Sequence, residues 1–124
     1  MASPALAQQP RNRKECNNRR DFIKYLREET EKAKIIVFHG GSKAAEQGGT
    51  LRILDTLMGQ NPTANFLYLD VAAVKSVANQ LGITDDNVPT VILYRYGGDA
   101  PVWISPNDSA QLDSRVRNFL GNSR

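Results

Sequence analysis

The chain has 124 residues, 40% of them apolar, and this length and composition fit one globular domain of ordinary size. No apolar run reaches the ~18 residues that a membrane-spanning helix needs, and the first ten residues lack the basic start and apolar core of a secretory signal. We therefore expect one intracellular domain, in the cytoplasm, without a membrane span. The single cysteine, Cys16, excludes an internal disulfide and a cysteine-based zinc site, so an ordinary thiol is expected there.

The net charge of +3 is distributed unevenly along the chain. Five basic residues and one glutamate give residues 1–20 a charge of +4, which leaves −1 for residues 21–124. We predict a flexible basic arm over residues 1–15, a domain over residues 16–121 and a tail over residues 122–124. The arm is interpreted as a solvated tail. Contact with an acidic protein, nucleic acid or a membrane surface, and a part in organelle targeting, stay open as alternatives.

The spacing of apolar residues predicts alternating helices and strands. After a possible short first strand, Asn18 is a candidate N-cap for a helix that turns Phe22, Ile23 and Leu26 toward the core. The apolar run KIIVFHG then predicts a central strand covered on both faces. Two glycine pairs follow. Because glycines inside a helix lower its stability, we expect the next helix, with the apolar stripe of LRILDTLMG, to begin near Thr50.

The second half of the chain continues this alternation. NFLYLDV predicts a strand, and AAVKSVANQLG predicts a third helix with Leu81 among its inward residues and Gly82 at its end. VILYRY and PVWIS, separated by GGDA, predict a β-hairpin in which Trp103 lies either in the core or on the surface. Asn107 or Asp108 is expected to cap the last helix. The order predicts an α/β fold with a central mixed sheet of four to five strands and helices on both faces.

Two local motifs, together with size and element order, resemble the thioredoxin family over residues 16–121. KIIVFHG, the following loop and ILD in the next helix align without gaps with the strand, CxxC loop and helix of the family's active site. NVPTVILYRYGG looks like the family's cis-proline strand and hairpin turn. The resemblance implies a thioredoxin-like fold with a cis-proline loop, and a cis bond between Val88 and Pro89.

The same resemblance implies that the family's redox groups are missing. Ala44 and Gln47 stand at the positions of the two redox cysteines, so AAEQ replaces CxxC. Phe38 takes the place of the buried aspartate that assists proton transfer, and Lys43 that of the aromatic residue before the first cysteine. Neither an alanine methyl nor a glutamine amide can attack a disulfide. We therefore expect no thiol-disulfide oxidoreductase activity, no catalytic residue and no cofactor.

Other candidate chemistry is weaker. HGGSKAAEQGGT has the glycine content of a phosphate loop but lacks the G-x-x-x-x-G-K-[ST] order, so a remodelled loop is favoured over a phosphate site. His39, the single histidine, is interpreted as a hydrogen-bonded structural residue rather than a metal ligand. Asp70 is interpreted as a helix cap, and Asp85 and Asp86 as residues of a solvated turn.

A peptide-binding surface is the property that this fold can keep without redox chemistry. In thioredoxin-like proteins the backbone before the cis-proline can pair with an extended segment of a partner. The resemblance places this surface on the cis-proline loop and on the remodelled Gly40–Gly49 loop, at Lys43, Ala44, Glu46, Gln47, Val88 and Pro89. The predicted function is a redox-inactive interaction or adaptor module for a protein or extended peptide. A constitutive scaffold subunit, and an enzyme that binds glutathione or another small thiol, stay open as alternatives.

Overall fold

The computed structural model describes residues 11–98 and 100–121, so most of the predicted arm and the tail lie outside the described residues. The strands are β1 Arg13–Cys16, β2 Lys34–His39, β3 Asn65–Asp70, β4 Thr90–Tyr94 and β5 Val102–Ile104. The α-helices are α1 Arg19–Arg27, α2 Gly48–Gln60, α3 Lys75–Gln80 and α4 Leu112–Gly121. Two 3₁₀ segments precede α2 and α4, at Gly41–Gln47 and Pro106–Gln111.

The strands form one mixed sheet in the order β1-β3-β2-β4-β5. β1, β3 and β2 are parallel, whereas β4 and β5 are antiparallel to their neighbours. Side chains of α2 and α4 pack on one face of the sheet, and those of α1 and α3 pack on the other. β2 is buried on both faces because its residues are apolar without alternation. The predicted fold class is therefore confirmed.

α1 begins where the sequence predicts, directly after the N-cap candidate Asn18. The side chain of Asn18 accepts a hydrogen bond from the backbone N–H of Asp21 at 2.9 Å, as an N-cap residue does. Phe22 is buried on the inner side of this helix, while Ile23 and Leu26 are partly exposed at its borders.

The predicted boundary between arm and domain is too late, because β1 begins at Arg13. Asn12 is already buried, and its side-chain amide donates to the carbonyl oxygens of Met58, Asn61 and Ala64. A possible short first strand was expected before the helix, but the charged sequence RKEC does not show where it begins. Strand pairing uses the backbone, and an edge strand accepts charged side chains readily.

Two helices begin at residues other than those predicted. α2 begins at Gly48, two residues before Thr50, since both glycines lie in its first turn, where the cost of glycine is lower than in a helix interior. α4 begins at Leu112. Asn107 and Asp108 lie inside the preceding 3₁₀ segment, so neither caps this helix.

The third helix is shorter than predicted and covers only Lys75–Gln80. Leu81 therefore lies beyond its end and is 38% exposed, not inward as expected, while Gly82 turns the chain with a φ of +74°.

Trp103 lies on β5, the outermost strand, opposite Ile92 of β4. Its side chain lies on the surface rather than in the core, since the residue is 44% exposed. Within the part of the chain that the structure describes, no helix has the length and apolar character needed to cross a membrane.

Candidate peptide-binding groove

The Gly40–Gln47 loop leaves the carboxyl end of β2 through two glycines with positive φ, +89° at Gly40 and +72° at Gly41. A Cβ atom at Gly40 would lie 2.8 Å from the carboxylate of Asp70, and one at Gly41 would collide with Oδ1 of Asp85. Both positions therefore require glycine, for conformation and for space. The chain then forms the Gly41–Gln47 3₁₀ segment, which is kinked at Lys43 and leads directly into α2.

Gln47 closes this loop from inside. Its side chain is 1% exposed, its Oε1 accepts from the N–H of Gly40 at 2.8 Å, and its Nε2 donates to the carbonyl of Gly40 at 2.9 Å. We call this pair of hydrogen bonds the Gln47–Gly40 clamp. The prediction that the Gln47 side chain contacts a partner is wrong, because the amide is consumed within the protein. The sequence alone does not show whether a glutamine in a polar loop contacts a partner or forms hydrogen bonds inside the protein.

Three predicted contact residues of the loop are exposed: Lys43, Ala44 and Glu46. Lys43 Nζ lies 3.7 Å from Oδ1 of Asp86, so this ion pair connects the loop with the segment before the cis-proline. Both side chains are largely exposed, and such a pair adds little to stability. The surface formed by the three residues is therefore open to a partner.

The second wall of the groove is the segment Ile83–Pro89. The peptide bond between Val88 and Pro89 is cis. Pro89 is partly exposed, whereas Val88, backbone included, is only 5% exposed, so Pro89 provides most of the accessible surface of this pair. Within residues 11–98 and 100–121, the N–H and C=O of Val88 have no hydrogen-bond partner.

Short-range hydrogen bonds hold this second wall. Asn87 Oδ1 accepts from the N–H of Thr84 at 2.7 Å, and Asn87 Nδ2 donates to the carbonyl of Gly82 at 3.1 Å. The hydroxyl of Thr90 donates to the carbonyl of Asn87, and that of Thr84 accepts from the N–H of Asp86. These bonds fix the turn that presents Val88 and Pro89.

A cavity of about 490 Å³ opens beside the groove. Gly41 and Ser42 of the loop line one side of it, and Ile83 and Asp85 of the second wall line another. Residues of α3 and of the turn after β3 complete the lining. The sequence gives no signal for this cavity, because its lining combines the loop at Gly41 and Ser42 with residues 71–85, which are distant from the loop along the chain.

The positions that the resemblance assigns to the family's redox groups carry side chains without a thiol or a carboxylate. Phe38 is fully buried, and its ring contacts that of Phe22 edge to face with centroids 6.3 Å apart. Cys16 is buried in β1, a strand separated from β2 by β3. Burial, assisted by the charges of Asp21 and Glu15, raises the pKa of the Cys16 thiol to about 12. The thiol is therefore protonated near neutral pH.

His39 and the carboxylates lie near the loop without forming a metal or acid-base site. The His39 ring contacts Tyr68 edge to face at 5.9 Å but makes no hydrogen bond within the described ranges, so the hydrogen-bonded role expected for it is wrong. Burial lowers its pKa. Asp70 Oδ1 accepts from the N–H of Ala72 at 2.8 Å, which is a local turn contact. No group of three or more candidate metal ligands occurs among residues 11–98 and 100–121.

Comparison with known proteins gives matches only at the level of structure. No family model and no curated protein matches the sequence. A thioredoxin from Fasciola hepatica matches with a TM-score of 0.70 at 14% identity, over 90% of this chain and 99% of its own. A thioredoxin from Trypanosoma brucei brucei matches with a TM-score of 0.69 at 14% identity, over 98% and 99%. The thioredoxin NaTrxh from Nicotiana alata matches with 0.68 at 13%, over 96% and 98%.

At these identities the likeness establishes the fold alone. The chain has the thioredoxin fold, as the motifs KIIVFHG and NVPTVILYRYGG predicted. With one cysteine in 124 residues it carries no CxxC pair, so it is a divergent, thioredoxin-like protein.

Proposed function

We propose that this protein is a redox-inactive, intracellular interaction module that binds an extended segment of a partner protein in the groove between the Gly40–Gln47 loop and Val88–Pro89. The observation that carries the proposal is the unpaired backbone of Val88, located beside an exposed loop surface. An N–H and a C=O without a partner inside the protein can each form a hydrogen bond with an added strand.

The loop supports binding rather than catalysis. Ala44 presents a methyl group where attack on a disulfide would need a thiolate, and Gln47 is engaged in the Gln47–Gly40 clamp. The clamp joins the two ends of the loop without any cysteine. A preformed surface lowers the entropy lost on binding, which favours recognition of a flexible peptide.

A peptide-display selection on the immobilised full chain tests the groove. We expect selected peptides to change the amide chemical shifts of Val88, Thr90 and Ala44 more than those of other residues. Val88→Pro removes the backbone donor and should weaken binding at least tenfold. Ala44→Arg blocks the exposed surface and gives a second variant should the proline disturb folding, while Arg52→Gln on α2 is the control. Peptides that bind Val88→Pro and Ala44→Arg as tightly as the wild type would contradict the proposal.

An insulin-reduction assay with dithiothreitol tests redox inactivity. We expect the wild type to add nothing to the rate of dithiothreitol alone, because the buried Cys16 thiol stays protonated. Ala44→Cys combined with Gln47→Cys should show measurable catalysis and thereby prove the sensitivity of the assay. Wild-type catalysis that disappears in Cys16→Ser would show that the redox site is misassigned.

A further inference from the structure

The outer face of α1 carries a stripe of basic side chains. Arg20, Lys24 and Arg27 follow one another at i, i+4 and i+7, and all three are exposed. At the α-helical rise the stripe is about 10 Å long. None of the three takes part in an ion pair with another residue of the described ranges. The single acid of this helix, Asp21, accepts the N–H of Asn17 at the capped end.

An apolar dimple of about 100 Å³ lies beside this stripe, between α1 and α3. Its apolar lining is Phe22, Ile23, Val77 and Leu81, and Leu81 is one of the few large apolar side chains that are exposed. Arg19 Nη1 donates to Oε1 of Gln80 at 2.7 Å across its rim. The dimple and the stripe are continuous.

Ile23 joins the two features. It lies three residues after Arg20 and four before Arg27 on α1, so its side chain neighbours the stripe while it lines the dimple. The residues of α3 that line the dimple, Val77 and Gln80, are uncharged. A partner that meets this surface therefore meets an apolar depression with positive charge along its α1 side.

We propose that this α1–α3 surface docks an acidic protein segment that inserts one apolar side chain into the dimple. Carboxylates opposite Arg20, Lys24 and Arg27 provide electrostatic complementarity, and the inserted side chain provides the buried contact that dominates most interfaces. A nucleic-acid backbone would match the charge but leave the dimple unfilled. A membrane surface fits less well, since the apolar side of α1 packs in the core and cannot enter lipid. This inference does not depend on the groove.

The charge part is tested with a fluorescent peptide that consists of glutamates around one central leucine, bound to the full chain at low salt. Arg20→Gln combined with Lys24→Gln should weaken binding about fivefold to tenfold. The matched control removes two positive charges from α2 and α4, by Arg52→Gln with Arg117→Gln, and should change the affinity less than about twofold. Equal losses in both double variants would show a response to net charge alone and would overturn the proposal.

The apolar part is tested with Leu81→Ser and with a second peptide in which serine replaces the leucine. We expect Leu81→Ser to weaken binding of the leucine peptide severalfold and to leave binding of the serine peptide unchanged; urea unfolding checks that the variant is folded. If both peptides bind equally to the wild type, the dimple has no part in docking. Tighter binding of a polythymidine oligonucleotide, or of phosphatidylserine-containing vesicles, than of the leucine peptide would also overturn the proposal.

Discussion

The two walls of the groove are held in different ways. The Gly40–Gln47 loop depends on one buried side chain, whose amide makes both hydrogen bonds of the Gln47–Gly40 clamp. The Ile83–Pro89 wall depends on several short-range bonds around Asn87 and Thr84, all at or near the surface. Lys43 and Asp86 add an exposed ion pair between the walls.

Because of this difference, the stability of the groove depends mostly on one residue of the first wall, Gln47. A buried hydrogen-bonded amide cannot be replaced by water when it is removed, whereas exposed turn bonds can. Substitution of Gln47 should therefore lower the free energy of unfolding far more than substitution of any one residue of the second wall. Gln47, which the family resemblance aligns with the second redox cysteine, therefore has a structural role here.

The largest expected effect is that of Gln47→Ala. The substitution leaves the buried N–H and C=O of Gly40 without partners and opens a void, so the free energy of unfolding should fall by about 3 kcal/mol. Urea denaturation measures this change. Glu46→Ala, on the exposed neighbour, is the control and should stay within about 0.5 kcal/mol of the wild type.

Asn87→Ala on the second wall should lower the free energy of unfolding by only about 1 kcal/mol, because water can replace its exposed bonds. Equal losses for Gln47→Ala and Asn87→Ala would refute the contrast between the walls. Faster amide hydrogen exchange over residues 40–47 in Gln47→Ala, but not in Asn87→Ala, would support this contrast.

Most of the fold could be predicted from sequence because its signals are local. The unbroken apolar run of β2, the Asn18 cap and the apolar stripe of α2 each depend on neighbouring residues, and each is found where it was expected. The possible first strand exists, but most of β1 was assigned to the arm, because its pairing with β3 uses backbone atoms and its charged side chains do not mark where it begins. Leu81 fitted a helical period, but the helix ends before it.

The site could be predicted only in part. Lys43, Ala44, Glu46 and Pro89 lie at the surface, as the family resemblance implied. The side chains of Gln47 and Val88 are buried, and this depends on contacts with Gly40 and with the core that no spacing shows. Gly40 and Gly41 are visible in the sequence as a glycine pair, but the close approach of Asp70 and Asp85 that requires glycine there is a tertiary contact.

His39 lies at the base of the first wall, directly before Gly40, and links the stability of this wall to pH. Burial lowers the pKa of its imidazole from the usual 6.5; the charges of Asp70 and Glu15 act in the opposite direction, and that of Arg13 lowers it further. The unfolded chain therefore takes up a proton near pH 6.5, before the folded protein does. It follows that the free energy of unfolding should fall as the pH decreases from about 6.5 to the lowered value.

The smallest expected effect is this pH dependence, and His39→Phe removes it. Phenylalanine keeps an aromatic contact with Tyr68 but binds no proton, so the variant should lose less stability than the wild type between pH 7.5 and pH 5.5. Urea denaturation at both pH values measures the two slopes. His39 is the single histidine of the chain. The other side chains should contribute equally to the pH dependence of the free energy of unfolding of both proteins in this interval. Identical slopes would mean that the imidazole is solvated, and that the base of the first wall is more open than its burial indicates.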